Sequence, residues 1–330
     1  MTILVTGAAG FIGSHVALRL LQQGHTVVGL DNLCAYYDVS LKRARLHRLQ
    51  SHGGFRFLRL DIVDRDAMSR IFAGLSPRVV LHFAGQPGVR HALDHPHDYV
   101  DTNLVGFVNV LEGCRHAKVE HLVYASSSSV YGAQVTMPQR EDSAADQPMS
   151  LYAATKRANE LMAYAYSHLH ATPMTGLRLF TVYGPWGRPD MALWRFALSM
   201  SRGEPIDVYN HGQMVRDLTY IDDVVDDVIE LLHRAPDGAV PHRVVNVGGG
   251  QPVTLDVLIS ELEGALGVTA IRNMLQDQPG DMRMTWADIA ALEGELGPRS
   301  RVPLRSGVRS FVQWFRSYHG VYDSIAPTLG

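Results

Sequence analysis

The 330-residue chain has only two cysteines, Cys34 and Cys114, too few for a disulfide framework or a cysteine-ligated zinc site. It has no apolar run near the roughly 20 residues that a membrane-spanning helix needs. Neither sign of charge dominates. Thirty basic residues against 33 acidic ones leave a formal charge of −3, which offers no field for nucleic acid or an anionic membrane. Internal repeats and low-complexity tracts are missing as well. The opening MTILVTGAAGFIG has no basic stretch and breaks into glycines after a few apolar residues, unlike a secretion signal. What remains is 46% hydrophobic and 19% charged, the balance of a well-buried globular chain of one large domain or two ordinary ones. Together these features predict a cytoplasmic globular protein.

The first half alternates two textures. Short apolar runs at 3–5, 25–30, 56–60, 79–83 and 121–125 read as strands, ending at Gly7, Asp31, Asp61, Ala84-Gly85 and four serines. Helical patterns at 11–23, 41–49, 64–75, 99–117 and 151–170 fall between and after them. Strands this apolar, alternating with helices, imply a parallel sheet covered on both faces. The predicted fold class is therefore α/β, a doubly wound parallel (Rossmann) sheet with a smaller C-terminal α/β domain. Prolines and glycines interrupt the chain from Gly184 to Gly212, which sets the expected boundary. Residues 1–184 form the first domain, with 219–247 returning to it, and 185–218 with 248–330 form the second. Segments 175–183 and 220–232 read as returns to the first sheet, 244–247 as a strand, and 255–266 and 308–318 as helices.

Gly7, Gly10 and Gly13 stand in a G-x-x-G-x-x-G pattern between a strand and a helix. So tight a turn lets a pyrophosphate approach the backbone and meet the N–H groups at the helix start. Asp31 ends the next strand, where a carboxylate accepts ribose hydroxyls and repels a 2′-phosphate, so NAD is expected over NADP. Alone, the glycines would be an ordinary turn; strand, helix and acid in register make them a dinucleotide site. Tyr152 and Lys156 sit four apart on one helix face. A free phenol ionises near 10, too high for a base at neutral pH, and a neighbouring ammonium lowers it. By itself Tyr-x-x-x-Lys is common on protein surfaces. Its weight comes from the glycine turn and from Ser126–Ser129 at a strand end, where ligands of such folds bind.

The glycine turn, SSSSVYG (126–132) and Tyr152–Lys156 resemble the extended short-chain dehydrogenase/reductase family of nucleotide-sugar epimerases and dehydratases. DNLCAYYDVSLK (31–42), AGQPGVRHAL (84–93), LRLFTVYGPWGRPDMAL (177–193) and IDVYNHGQMVRDLTYIDD (206–223) resemble its UDP-glucuronate 4-epimerase branch. The resemblance implies Ser127 as catalytic hydroxyl, Tyr152 as base and Lys156 as its partner. It implies NAD contacts from Gly7, Gly10, Phe11, Ile12, Asp31, Asn32, Asp61, Ile62, Ala84 and Asn103, besides Tyr152 and Lys156. Thr181, Arg188, Tyr209, Arg216 and Asp281 match positions lining a UDP-sugar site, and Ser128 and Ser129 are expected to hold the sugar carboxylate. The family's dehydratases carry Asp-Glu at Ser128-Ser129, and its decarboxylases a glutamate at Ser129. The expected activity is thus NAD-dependent 4-epimerisation of UDP-glucuronate through a 4-keto sugar. A 4-epimerase of another UDP-hexose, a dehydratase or decarboxylase, and a non-catalytic NAD-binding regulator are the alternatives.

A homodimer is expected, because 99–117 and 151–170 carry Val105, Val108, Leu161 and Tyr164 beyond one apolar stripe. In this family those two helices pair with their symmetry mates. No metal is expected. Pro96 interrupts His91, His95 and His97, and Asp222, Asp223, Asp226 and Asp227 suit a helix N-terminus. Trp186 and Trp194 fit packing or base stacking equally.

Overall fold

A computed structural model describes residues 2–133, 136–276 and 282–325, with the side chains of 321–325 excepted. Its strands are β1 (Thr2–Thr6), β2 (Thr26–Asp31), β3 (Phe55–Arg59), β4 (Val79–His82), β5 (His121–Ser127), β6 (Met174–Leu179), β7 (Thr181–Tyr183), β8 (Ile206–Tyr209), β9 (Val215–Tyr220), β10 (His242–Val247), β11 (Pro252–Thr254) and β12 (Arg272–Leu275). Its helices are α1 (Phe11–Gln22), α2 (Val39–Gln50), α3 (Arg65–Leu75), one-turn α4 (His91–Asp94) and α5 (Pro96–Tyr99), α6 (Gly106–Ala117), α7 (Leu151–His170), α8 (Ala192–Ser201), α9 (Ile221–Leu232), α10 (Leu255–Leu266), α11 (Ala290–Leu296) and α12 (Leu304–Ile325).

Seven strands form one sheet in the order β10-β6-β5-β4-β1-β2-β3, every neighbouring pair parallel. Residue alternation along β1 shows how the sheet is buried. Ile3 and Val5 join one core with Val16 and Leu20 of α1 and Val224 and Val228 of α9. Leu4 points the other way, into a second core with Phe107 and Val110 of α6 and Ala163 of α7. A strand buried on both faces has no polar positions to alternate, which is why these runs are continuously apolar.

The sequence expectations differ from the structure in two places. Segment 175–183 does not stay in one sheet. After Leu179 the chain swings out, and β7 joins β9 and β11 in a separate three-stranded sheet. Segment 220–232 returns to the first sheet as the helix α9, which covers it beside α1. Segment 99–117 is not one α-helix, because Val100–Val105 is a π-helical turn leading into α6. β8 and β12 form a further parallel pair.

α7 reaches the carboxyl end of the sheet and is fastened there. Ser150 caps it by accepting from the Ala153 N–H at 3.1 Å. Two turns in, the buried Glu160 accepts from Ser126 Oγ at 2.7 Å and from Arg178 Nε and Nη2, each at 2.9 Å. Burial pushes the Glu160 carboxyl up, but Arg178 more than offsets this and holds it below the ordinary value. Removing one member of such a pair strands the other charge, at about 3–5 kcal/mol. Glu160→Gln is therefore expected to lower the unfolding free energy by about that amount in urea titration. Breaking the exposed Arg78–Glu120 pair with Arg78→Ala should leave the unfolding free energy nearly unchanged. Similar losses for both variants would remove Glu160 from its anchoring role.

Candidate active site

One cavity of about 1220 Å³ runs along the carboxyl ends of β1, β2, β4, β5 and β7 and under α8, β8 and β9. It exceeds the roughly 300–1,000 Å³ of a typical single-ligand pocket. At one end lie Gly7, Gly10, Phe11, Ile12, Asp31, Asn32, Asp61, Ile62 and Ala84. The turn suits a dinucleotide. A Cβ at Gly7 would fall 2.6 Å from the Ala84 nitrogen, and one at Gly13 would fall 2.2 Å from the Gly7 oxygen. Only bare backbone closes this far on β4. α1 starts at Gly10 without a side-chain cap or an acid in its first turn, so its first N–H groups are open to an anion.

The Asp31 carboxylate accepts from the N–H groups of Ala9 at 3.1 Å and Leu33 at 2.8 Å, which aims it along the cavity wall. Asn32 donates to Asp61 at 2.8 Å and ties the ends of β2 and β3 together. These residues fit the adenosine half of NAD and place a negative charge where NADP would carry its 2′-phosphate.

Asn103 is buried and stands beside the cavity rather than on its lining. Its amide oxygen accepts the Gln86 N–H at 2.8 Å, and its nitrogen donates to the Gln86 carbonyl at 3.1 Å and to Thr155 Oγ1 at 3.0 Å. It holds the β4 loop to α7.

Ser127, Tyr152 and Lys156 meet at mid-cavity. Ser127 ends β5 and opens a 3₁₀ turn, Ser128–Tyr131. Its oxygen accepts from Ser129 Oγ at 2.9 Å and Ser129 N–H at 3.2 Å. A hydroxyl has two lone pairs and one hydrogen, so Ser127 is left as a donor. Burial raises the Tyr152 phenol; the Ser127 hydroxyl and then the Arg188 guanidinium draw it back. Lys156 is buried, donates to the Ala125 carbonyl at 2.9 Å, and is brought down to about 8 by that burial. The groups drawing on Tyr152 here are thus Ser127 and Arg188. The Tyr99 ring stands edge-on to Tyr152, centroids 6.2 Å apart, with its hydroxyl donating to the Pro87 carbonyl at 2.7 Å.

Ser128, Ser129, Thr181, Arg188, Tyr209 and Arg216 line the other half of the cavity. Arg188 Nε donates to Asp190 Oδ1 at 3.0 Å, and its Nη2 contacts Asp190 Oδ2. Burial opposes the Arg188 charge, but Asp190 raises it above the usual guanidinium value. Tyr36 donates to the same carboxylate at 3.1 Å. The Arg90 guanidinium lies over the Tyr209 ring, 5.3 Å from its centroid. Arg216 Nη1 donates to the Val215 carbonyl at 2.9 Å. Asp281 lies outside the described residues. Sequence reasoning misses Tyr36, Arg90 and Asp190. Their only signal is membership of the long family-like strings.

Three other sequence features find structural explanations. Pro96 splits α4 from α5, and His91, His95 and Asp98 gather there within 4.8 Å, with His91 Nε2 3.4 Å from Asp98 Oδ2. His97 is not part of that group. In α9, Asp226 pairs with Arg19 and Asp227 with Arg301 at 2.8 Å, while Asp223 accepts the Val302 N–H at 3.0 Å. Trp186 and Trp194 both pack on Trp314 of α12, with centroids 5.2 and 5.1 Å away.

Comparison with known proteins agrees with this geometry. The model of the NAD dependent epimerase/dehydratase family matches residues 3–248. A probable UDP-glucuronate 4-epimerase of Rhizobium meliloti is 47% identical over 98% of this chain and all of its own length. UDP-glucuronate 4-epimerase 1 of Arabidopsis thaliana is 43% identical over 97% of this chain and 78% of its own. The crystal structure of a Bacillus cereus UDP-glucuronic acid 4-epimerase, in complex with UDP-glucuronic acid and NAD, superposes with a TM-score of 0.90. It is 34% identical, covering 96% of this chain and 100% of that one. With the glycine turn, the serine strand end and the tyrosine–lysine helix in one cavity, the chain belongs to the NAD dependent epimerase/dehydratase family.

Proposed function

We propose that this protein is a UDP-glucuronate 4-epimerase, interconverting UDP-glucuronate and UDP-galacturonate on a retained NAD. The observation that carries the reading is Ser127-Ser128-Ser129 lining the cavity with Tyr152 and Arg188. Hydroxyls and a guanidinium stand there, with no carboxylic acid on the serine turn to relay a proton for elimination. The named relatives support the same substrate.

When bound, NAD supplies the hydride acceptor and donor for C4, so the reaction has no net redox change. Everything else falls to this chain. Tyr152 takes the proton of the 4-hydroxyl and later returns one. Ser127, its oxygen saturated by Ser129, donates to the substrate oxygen as it becomes a ketone and back. Lys156 fixes positive charge beside the β5 end and holds the nicotinamide ribose. The remaining contacts to NAD come from Gly7, Gly10, Phe11, Ile12, Asp31, Asn32, Asp61, Ile62 and Ala84. Tyr209 and Arg216 take the UDP handle, and residues 185–218 with 248–330 form its half of the site. Ser128, Ser129 and Thr181 bind the sugar carboxylate. A ketone at C4 is β to that carboxylate, so the sugar would lose carbon dioxide if the C5–C6 bond lined up with the ketone π-system. Fixing the carboxylate keeps it out of line.

The decisive assay offers UDP-glucuronate, UDP-glucose and UDP-N-acetylglucosamine to the purified protein without added cofactor. UDP-galacturonate as main product, with little UDP-pentose, is expected. Equal turnover of UDP-glucose, or UDP-pentose as the main product, would refute the reading.

Tyr152→Phe removes one hydroxyl from a side chain held by its ring. It should lower kcat by about 10²–10⁴, the usual contribution of a positioned acid–base group, while leaving the melting temperature nearly unchanged. Normal turnover would mean that another group is the base.

The protein is further proposed to be a cytoplasmic homodimer. Leu161 and Tyr164 of α7 are 57% and 53% exposed, beside the face with which α7 covers the sheet, and the Tyr164 ring also meets His242 of β10. Apolar side chains this open on one helix suit a second copy of the same helix. Light scattering at micromolar concentration should give twice the chain mass, falling to one chain mass for Leu161→Asp. A monomeric unmodified protein would dispose of the dimer.

A further inference from the structure

Behind the dinucleotide end of the cavity, Arg45 of α2 is completely buried. It does not line the cavity; it stands between two segments that do. Its Nη1 donates to the Ala9 carbonyl in the glycine turn at 3.2 Å. Its Nε and Nη2 donate to the Trp186 carbonyl, at 3.0 and 2.5 Å, and Nη2 also donates to the Gly187 carbonyl at 2.8 Å. The Tyr37 hydroxyl accepts from Nη1 at 2.6 Å. All of these acceptors are uncharged.

Two points make this more than packing. First, Trp186 takes a left-handed backbone, φ 61°, which a non-glycine residue adopts only when its surroundings impose it. Arg45 grips the carbonyl of that residue, and Arg188 follows two positions later. Second, a buried cation without a contacting anion is costly on its own. Burial works most strongly against its charge, the Tyr37 hydroxyl supports it, and of the charged groups Arg188 opposes it while Asp31 favours it. A dinucleotide received by the glycine turn would bring a pyrophosphate, and with it negative charge, to the turn whose Ala9 carbonyl Arg45 holds.

We infer that Arg45 is a positioning residue coupling the two halves of the site: one guanidinium sets the glycine turn that receives the dinucleotide and the 186–188 loop that carries Arg188 to the sugar. The planar fork is essential, because it reaches Ala9, Trp186, Gly187 and Tyr37 at once. A lysine presents a compact ammonium that cannot span them. Charge and fork therefore act separately. Charge favours the dinucleotide, and the fork fixes the sugar loop.

The inference rests on the proposed reaction, so one readout is independent of turnover. NAD content of the purified protein is measured after exhaustive dialysis, alongside KM and kcat for UDP-glucuronate. Arg45→Lys should keep NAD near the level of the unmodified protein and raise KM about tenfold, with kcat within about threefold. Arg45→Met should also lose most of its NAD on dialysis. Leu49→Ala, a buried change on the same helix, provides the control for loss of stability. It should lower the melting temperature and leave NAD content and KM unchanged. Unaltered KM in Arg45→Lys would overturn the inference, as would Leu49→Ala reproducing the same losses. If Arg45→Met does not fold, Arg45→Lys decides the matter alone. Should UDP-glucuronate prove not to be the substrate, the NAD measurement on a folded Arg45→Met protein still tests the link to the glycine turn.

Discussion

Glu160 and Arg178 meet in the interior, where neither charge would be tolerated alone, and the catalytic geometry depends on their meeting. Tyr152, Lys156 and Glu160 are four apart in turn, so they share one face of α7. Glu160 is locked to Arg178 on β6 and to Ser126 on β5, and Lys156 to the Ala125 carbonyl on β5. With two points fixed along one helix face, the third has little freedom. Tyr152 is thereby set against Ser127, the residue after Ser126. Strand and helix each contribute a proposed catalytic group, Ser127 next to one anchor and Tyr152 one turn from another.

The same economy governs charge. Lys156 and Arg45 are removed from bulk water, Arg188 is half-buried, and of the three only Arg188 has a carboxylate at contact distance. Lys156 and Arg45 donate to carbonyl oxygens instead. Carbonyls satisfy the donors without neutralising the charge, so positive potential is left for the ligands. A nucleotide sugar with a uronate end and a dinucleotide both bring anions, and the site is built to be completed by them. In the proposed reaction the serine turn, which lines the cavity with Tyr152, supplies neutral hydroxyls that orient the sugar without offering a relay for elimination.

The first sheet is legible in the sequence because its inner strands, β1, β2, β4, β5 and β6, are buried on both faces. Continuous apolar runs ending in glycine, aspartate or serine leave little room for another reading, and the NAD site follows from where they end. The second half is harder to read. β7, β8, β9, β11 and β12 are three to six residues long, each only partly buried, so their patterns carry little signal. The swing after Leu179 is set by pairing with β9, about 40 residues later in the chain, which no local window contains. The ties of Asn103 to Gln86 and Thr155 are equally invisible in the sequence, because they join the β4 loop to α7 across many residues. Arg45 carries no sequence signal of its role at all, since a basic residue on a helix ordinarily reads as surface.

The central claim is that Tyr152 and Ser127 move a proton while the hydrogen on C4 leaves and returns inside one closed site. Turnover of UDP-glucuronate carrying deuterium at C4, in ordinary water and followed by NMR, tests it most directly. The account requires UDP-galacturonate in which C4 keeps its deuterium, at equilibrium and through repeated turnovers. Loss of the label to solvent, or its appearance at another carbon, would contradict it.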